Sequence, residues 1–221
     1  AQAVGAGKTR EILTLIKKMK RIINPLRRKT LIIVPTTMLG TWEEECKKWV
    51  PELILNVYYG NRRSIPLEDQ SDIILTSYRT VCSELAVATP IKHDDLKKHR
   101  YRRIVLDEGH HIRDMTSKTF KAINSIPGNR YQTRWVVTAT PIVKGIGDLC
   151  AYLTFLRAYP WVWGGGLVHS SYMRRSVNSI MWQLTSYAES YESIAIGFKE
   201  MLRRVMFYQN KTSIQNISGP Q

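Results

Sequence analysis

A parallel α/β sheet with helices on both faces is the fold this sequence predicts. Short apolar runs alternate along the chain with segments of helical spacing. The runs are apolar at successive positions, as in strands buried on both faces. Residues suited to chemistry then follow these runs: Pro35-Thr36, Thr76-Ser77, Asp107-Glu108 and Thr138-Ala139-Thr140. Ligands of open parallel sheets bind at that end of the strands.

The chain opens on Gly5-Ala6-Gly7-Lys8-Thr9. Glycines let backbone N–H groups close around a phosphate chain, a lysine adds a point charge for the β/γ-phosphates, and the threonine hydroxyl can ligate Mg²⁺. A strand normally delivers the chain into such a loop, and that strand is expected ahead of residue 1. Ile12, Ile16, Met19 and Ile23 then recur at helical spacing, with Lys17, Lys18, Lys20 and Arg21 on other faces. This helix points its N-terminus at the phosphates.

Leu31-Ile32-Ile33-Val34 reads as a buried strand stopped by Pro35, and a helix carrying Trp42 and Trp49 follows. Ile54 to Tyr59, Asp72 to Leu75, Ile104 to Leu106 and Trp135 to Val137 read as further strands. Asp107-Glu108, at the end of an apolar run, supplies an acceptor for the metal and a base for the attacking water. With the glycine loop this pair reads as an ATP-hydrolysis site. From Asp148 the strand signal fades: Asp148 to Tyr159 and Val168 to Tyr208 read as helical, broken at Gly164-Gly165-Gly166. The expected division is therefore an ATP-binding lobe over 1–147, a helical C-terminal extension over 148–210 and a tail over 211–221.

A net charge of +15 favours a polyanionic partner, with nucleic acid the commonest. The basic clusters Lys17 to Arg21 and Arg27 to Lys29 fit a DNA patch or nuclear-localisation signal as well as they fit a solvated helix face and loop. Trp161, Trp163 and Trp182 read as core of the extension. No apolar run is long enough to span a bilayer, so no membrane partner is expected and the chain reads as soluble and intracellular. Cys46, Cys82 and Cys150 lie far apart, outside any metal-ligand spacing, and read as reduced thiols.

Together the motifs resemble the first RecA-like lobe, a P-loop NTPase fold, of the Swi/Snf-type superfamily-two DNA-dependent ATPases. The resemblance rests on Ala1 to Thr9; on Leu31 to Leu39 followed by Trp42 and Glu45; on Asp72 to Tyr78; on Ile104 to Arg113; on Val136 to Ile142; and on Met201 to Arg204. The chain departs from the family pattern at Gln2 and Ala3, where acidic residues are usual. Gly109 stands in an alanine place, and Val143-Lys144 replaces the usual Gln-Asn.

The resemblance implies ATP and Mg²⁺ as cofactors, with Gly5, Ala6, Gly7, Lys8 and Thr9 binding ATP and Thr9 and Asp107 holding Mg²⁺. Glu108 is the implied catalytic base. His110, Thr138 and Thr140 would couple the nucleotide state to the rest of the lobe, and Thr36, Thr37, Thr76 and Ser77 would contact DNA phosphates. It further implies translocation on duplex DNA, nucleosomal or protein-bound, in chromatin remodelling or DNA repair in the nucleus. A second RecA-like lobe outside this chain would supply arginine fingers, worth about 10³–10⁵ in rate, so the first lobe alone is expected to be nearly inert in hydrolysis. Two other readings stay open: a strand-separating helicase, and a truncated inactive lobe that binds DNA or a protein partner.

Overall fold

The computed structural model describes residues 7–20, 29–64, 70–85, 95–127, 132–140, 143 and 146–157. Five strands form one wholly parallel sheet: β1 (Thr30–Val34), β2 (Leu55–Tyr58), β3 (Ile73–Ser77), β4 (Arg103–Leu106) and β5 (Thr133–Val136). Their spatial order is β2-β3-β1-β4-β5. β1 lies centrally, with Ile32 paired to Leu75 on one side and Val105 on the other.

Alternation within the strands builds a core on each face. Ile32, Val34, Leu75 and Val105 face helices α1 (Lys8–Lys20) and α2 (Leu39–Trp49), where Ile12, Leu13, Ile16 and Trp42 complete the cluster. Leu31, Ile33, Ile74 and Leu106 face the other side. There α3 (Tyr78–Leu85), α4 (Asp95–Lys98), α5 (Lys118–Asn124) and α6 (Ile146–Leu156) cover the sheet. Strands sandwiched in this way are apolar at consecutive positions, and β1 and β3 are buried throughout.

The sequence pattern places Asp148 at the start of an extension. Packing places α6 on the lobe: Ala151, Tyr152 and Phe155 are buried in the same core as Phe120 and Ile123 of α5. Arg134 of β5 locks this arrangement. Its guanidinium donates to the carbonyls of Phe155 (3.2 Å) and Ile126 (3.3 Å), and to the side-chain oxygens of Gln132 and Asn124. Two of these acceptors lie at or just beyond helix C-termini, where carbonyls lack intrahelical donors. Burial pushes the Arg134 pKa down to about 9, and the surrounding oxygens supply the compensating hydrogen bonds. The remainder of the expected extension, Trp161, Trp163 and Trp182 within it, and the tail lie outside the described residues.

Among the described residues no helix is long and apolar enough to cross a membrane, and no cluster of metal-ligating side chains occurs. The three cysteines are free; burial pushes the Cys46 thiol up to about 12, which leaves it protonated at neutral pH.

Candidate functional site

The candidate site is built from three chain segments: the start of α1 and the residues that follow β4 and β5. The first is the start of α1. Gly7 has φ +73°, a left-handed conformation that L side chains rarely adopt, and a Cβ placed there would meet nothing within 4 Å. Its carbonyl accepts the Glu11 N–H at 3.1 Å and closes the first helical turn. The amides ahead of that bond have no intrahelical acceptor, and the helix dipole adds positive charge at the same end. Lys8 and Thr9 are the first two residues of this 13-residue helix, and both are half-buried. Gly5 and Ala6 lie outside the described residues, as do the departures at Gln2, Ala3 and Lys144.

The second segment follows β4. Asp107 N–H continues the ladder to the Ile33 carbonyl at 2.9 Å, which fixes the residue between β4 and β1. Its side chain is 6 % exposed. The Trp42 indole N–H donates to Oδ2 at 2.8 Å, and the Glu108 N–H donates to Oδ1 at 3.0 Å. Burial raises the Asp107 pKa above the usual carboxylate range. The two hydrogen bonds and the Lys8 ammonium oppose that rise. A helix N-terminus, a lysine and a desolvated carboxylate are the groups that suit a phosphate chain and a divalent cation.

Glu108 turns the chain with φ +49°, a left-handed value that costs a non-glycine residue about 1–3 kcal/mol. Its Oε2 lies 3.1 Å from His110 Nδ1, and the His110 ring stacks on His111. Gly109 closes the turn by donating its N–H to the Val137 carbonyl at 2.9 Å. A Cβ at Gly109 would lie 2.3 Å from Cγ1 of Val136. Glycine at this alanine place is therefore explained by the closeness of β5.

The third segment follows β5. Thr138 is buried, and its hydroxyl accepts the Thr140 N–H at 3.2 Å. Thr140 is exposed and is held by Arg113, whose Nη2 donates to the Thr140 carbonyl at 3.0 Å and hydroxyl at 2.9 Å. Arg113 also reaches the Tyr152 hydroxyl of α6 at 3.3 Å. Among the described residues, this arginine joins the segment after β4 to the segment after β5 through side-chain contact, whereas His110 turns to Glu108.

The hydroxyls expected to meet DNA divide into two pairs. Thr36 and Thr37 are exposed, on a 3-10 turn (Thr36–Met38) just past β1. Thr76 and Ser77 are instead the last residues of β3 and fully buried. Thr76 donates to the Tyr58 carbonyl at 2.8 Å, and Ser77 Oγ accepts the Thr80 N–H at 3.1 Å. Their hydroxyls face the lobe interior, so direct phosphate contact by these two side chains does not fit the structure. β3 runs two residues beyond the predicted Leu75, which carries both hydroxyls into the sheet.

Three side chains given no role from the sequence organise the site: Trp42, Arg113 and Tyr78, whose hydroxyl donates to the Asp107 carbonyl at 2.8 Å. Each falls inside a recognisable motif, but its partner lies 65, 27 and 29 residues away respectively. The one local signal was Trp42 itself, because an indole N–H at a buried helix position requires an acceptor.

Residues 1–217 match the family described as the SNF2-related domain. The chain is 35 % identical over 185 residues to the DNA repair protein rad8 of Schizosaccharomyces pombe, an alignment covering 73 % of this chain and 16 % of that protein. It is 35 % identical over 149 residues to the DNA repair protein RAD5A of Arabidopsis thaliana, covering 64 % of this chain and 14 % of the relative. Among solved structures, it is similar to the Sulfolobus solfataricus SWI2/SNF2 ATPase core in complex with dsDNA. The TM-score is 0.71 and the identity 26 %, over 96 % of this chain and 39 % of that one. The chain thus spans about a sixth of the length of the curated relatives it matches.

Proposed function

The chain belongs to the SNF2-related domain family, and from that premise we propose that it is the ATP-binding first lobe of a DNA-dependent ATPase. The whole protein would move along duplex DNA, nucleosomal or protein-bound, in DNA repair or chromatin remodelling in the nucleus. The reading is supported by the left-handed Gly7 leading into Lys8 at the head of α1, and by the buried, hydrogen-bonded Asp107 at the end of β4. The repair function of the named relatives and the duplex in the archaeal complex support it.

In this reading Gly5, Ala6, Gly7 and the first amides of α1 wrap the phosphates, and Lys8 binds the β/γ-phosphates. Thr9 and Asp107 hold Mg²⁺, which when bound supplies positive charge against those phosphates. Glu108 accepts the proton of the attacking water. Thr138 and Thr140 report the γ-phosphate state, and Arg113 carries that report to the segment after β4 and to α6. Thr36 and Thr37 contact DNA phosphates, while Thr76 and Ser77 hold β3 in place. A second RecA-like lobe completes the site.

Duplex DNA binding measured against salt tests the partner assignment. Phosphate contact releases counterions, so log affinity should fall linearly with log salt, by about 0.9 for each phosphate neutralised. Random and defined duplexes should bind alike, because phosphate contacts carry no sequence information. A salt-independent affinity, or a strong preference for one sequence, contradicts the proposal.

A further inference from the structure

We propose that Trp42 and Tyr78 are positioning residues that set Asp107 for its metal and make that setting respond to DNA. The inference rests on reading Asp107 as a Mg²⁺ ligand and the Thr36–Met38 turn as a DNA contact.

Trp42 is 1 % exposed. Its indole N–H is a donor only, and buried donors find partners. Here the partner is the carboxylate in the metal position, across 65 residues of sequence. With the Glu108 amide on the other oxygen, each carboxylate oxygen carries one donor from the protein. Those two bonds fix the rotation of the group, and each oxygen keeps lone-pair capacity for a cation or its waters. The Tyr78 hydroxyl holds the same residue from the backbone side.

Both aromatic residues are rooted close to the ends of strands that neighbour each other in the sheet. The 3-10 turn after β1 passes directly into α2: Leu39 is helical at the junction and donates its N–H to the Thr36 carbonyl. Trp42 stands in the first turn of that helix. A phosphate that pulls on Thr36 or Thr37 therefore moves the backbone that carries the Trp42 indole. Tyr78 directly follows Ser77 at the end of β3. Two buried aromatic side chains thus connect the outer rim of the sheet to one carboxylate.

The test is Mn²⁺ binding followed by electron paramagnetic resonance on the 221-residue chain in the presence of ATP, with and without a duplex. Trp42→Phe keeps an aromatic ring and removes the donor. Its Mn²⁺ affinity should fall by about 10–100-fold, as is usual when an outer partner of a metal ligand is lost, while ATP affinity without metal stays at the wild-type value. Trp49→Phe removes an indole from the same helix whose N–H bonds Glu45, and should leave Mn²⁺ binding unchanged. The duplex should tighten Mn²⁺ binding in the wild type and not in Trp42→Phe. Should Trp42→Phe lose its cooperative melt, Tyr78→Phe reads the same linkage from the other side, with weaker Mn²⁺ binding expected. Wild-type Mn²⁺ affinity in the folded variant overturns the inference, and a wild type indifferent to duplex overturns its DNA half. A wild type that binds neither ATP nor Mn²⁺ defeats the nucleotide-site reading itself.

Discussion

Replacing Lys8 by alanine is expected to weaken nucleotide binding by at least about 10–100-fold while leaving the lobe folded. Lys8 makes no hydrogen bond or ion pair among the described residues and stands half-buried at the head of α1. Truncating it should change stability by less than about 0.5 kcal/mol, the usual range for such positions. In the proposed reading, however, the phosphates lose the cation that Lys8 supplies. A charge-assisted hydrogen bond is worth about 1.5–3 kcal/mol, or roughly 10–100-fold in Kd. Loss of the electrostatic balance with Asp107 adds to that. Anisotropy of a fluorescent ATP analogue, paired with a thermal melt, measures both quantities. A variant that binds like wild type places the phosphates elsewhere.

Glu108→Gln should separate binding from hydrolysis. Glutamine keeps the shape of the side chain and removes its basic oxygen. The contacts that hold the Asp107 side chain come from Trp42 and from the Glu108 backbone, so the substitution leaves them in place. In the protein carrying both lobes, the rate should fall by about 10²–10⁴, the typical contribution of a positioned general base, with ATP affinity unchanged. The left-handed backbone of Glu108 supports this assignment, because strained residues persist where the surrounding structure holds them in place for function. An unchanged rate would move the base to another residue.

The inner strands β1, β3 and β4 were legible because they are buried throughout and carry runs of consecutive apolar residues. Their ends were not, because the end of a run and the end of a ladder are set by different things. Ser77 and Thr76 are polar residues that still pair with β1, at Val34 and Ile33. That two-residue difference turned expected surface hydroxyls into interior ones. Contiguous motifs located the head of α1 at Lys8 and the end of β4 just before Asp107. The short helix α4 carried no periodic signal, since four residues are too few to show one. The contacts of Trp42, Tyr78 and Arg113 were hidden for a different reason: each joins segments that the sheet order brings together, and local spacing holds no record of which strands become neighbours.

Hydrogen–deuterium exchange of the chain with and without Mg-ATP tests the central claim most directly. The account predicts slowed exchange in two separate stretches, the start of α1 over residues 7–13 and the turn after β4 over residues 107–112, with the distant edge strand β2 unaffected. Protection confined to the β2 side of the sheet, or no protection in a chain that melts cooperatively, would contradict it.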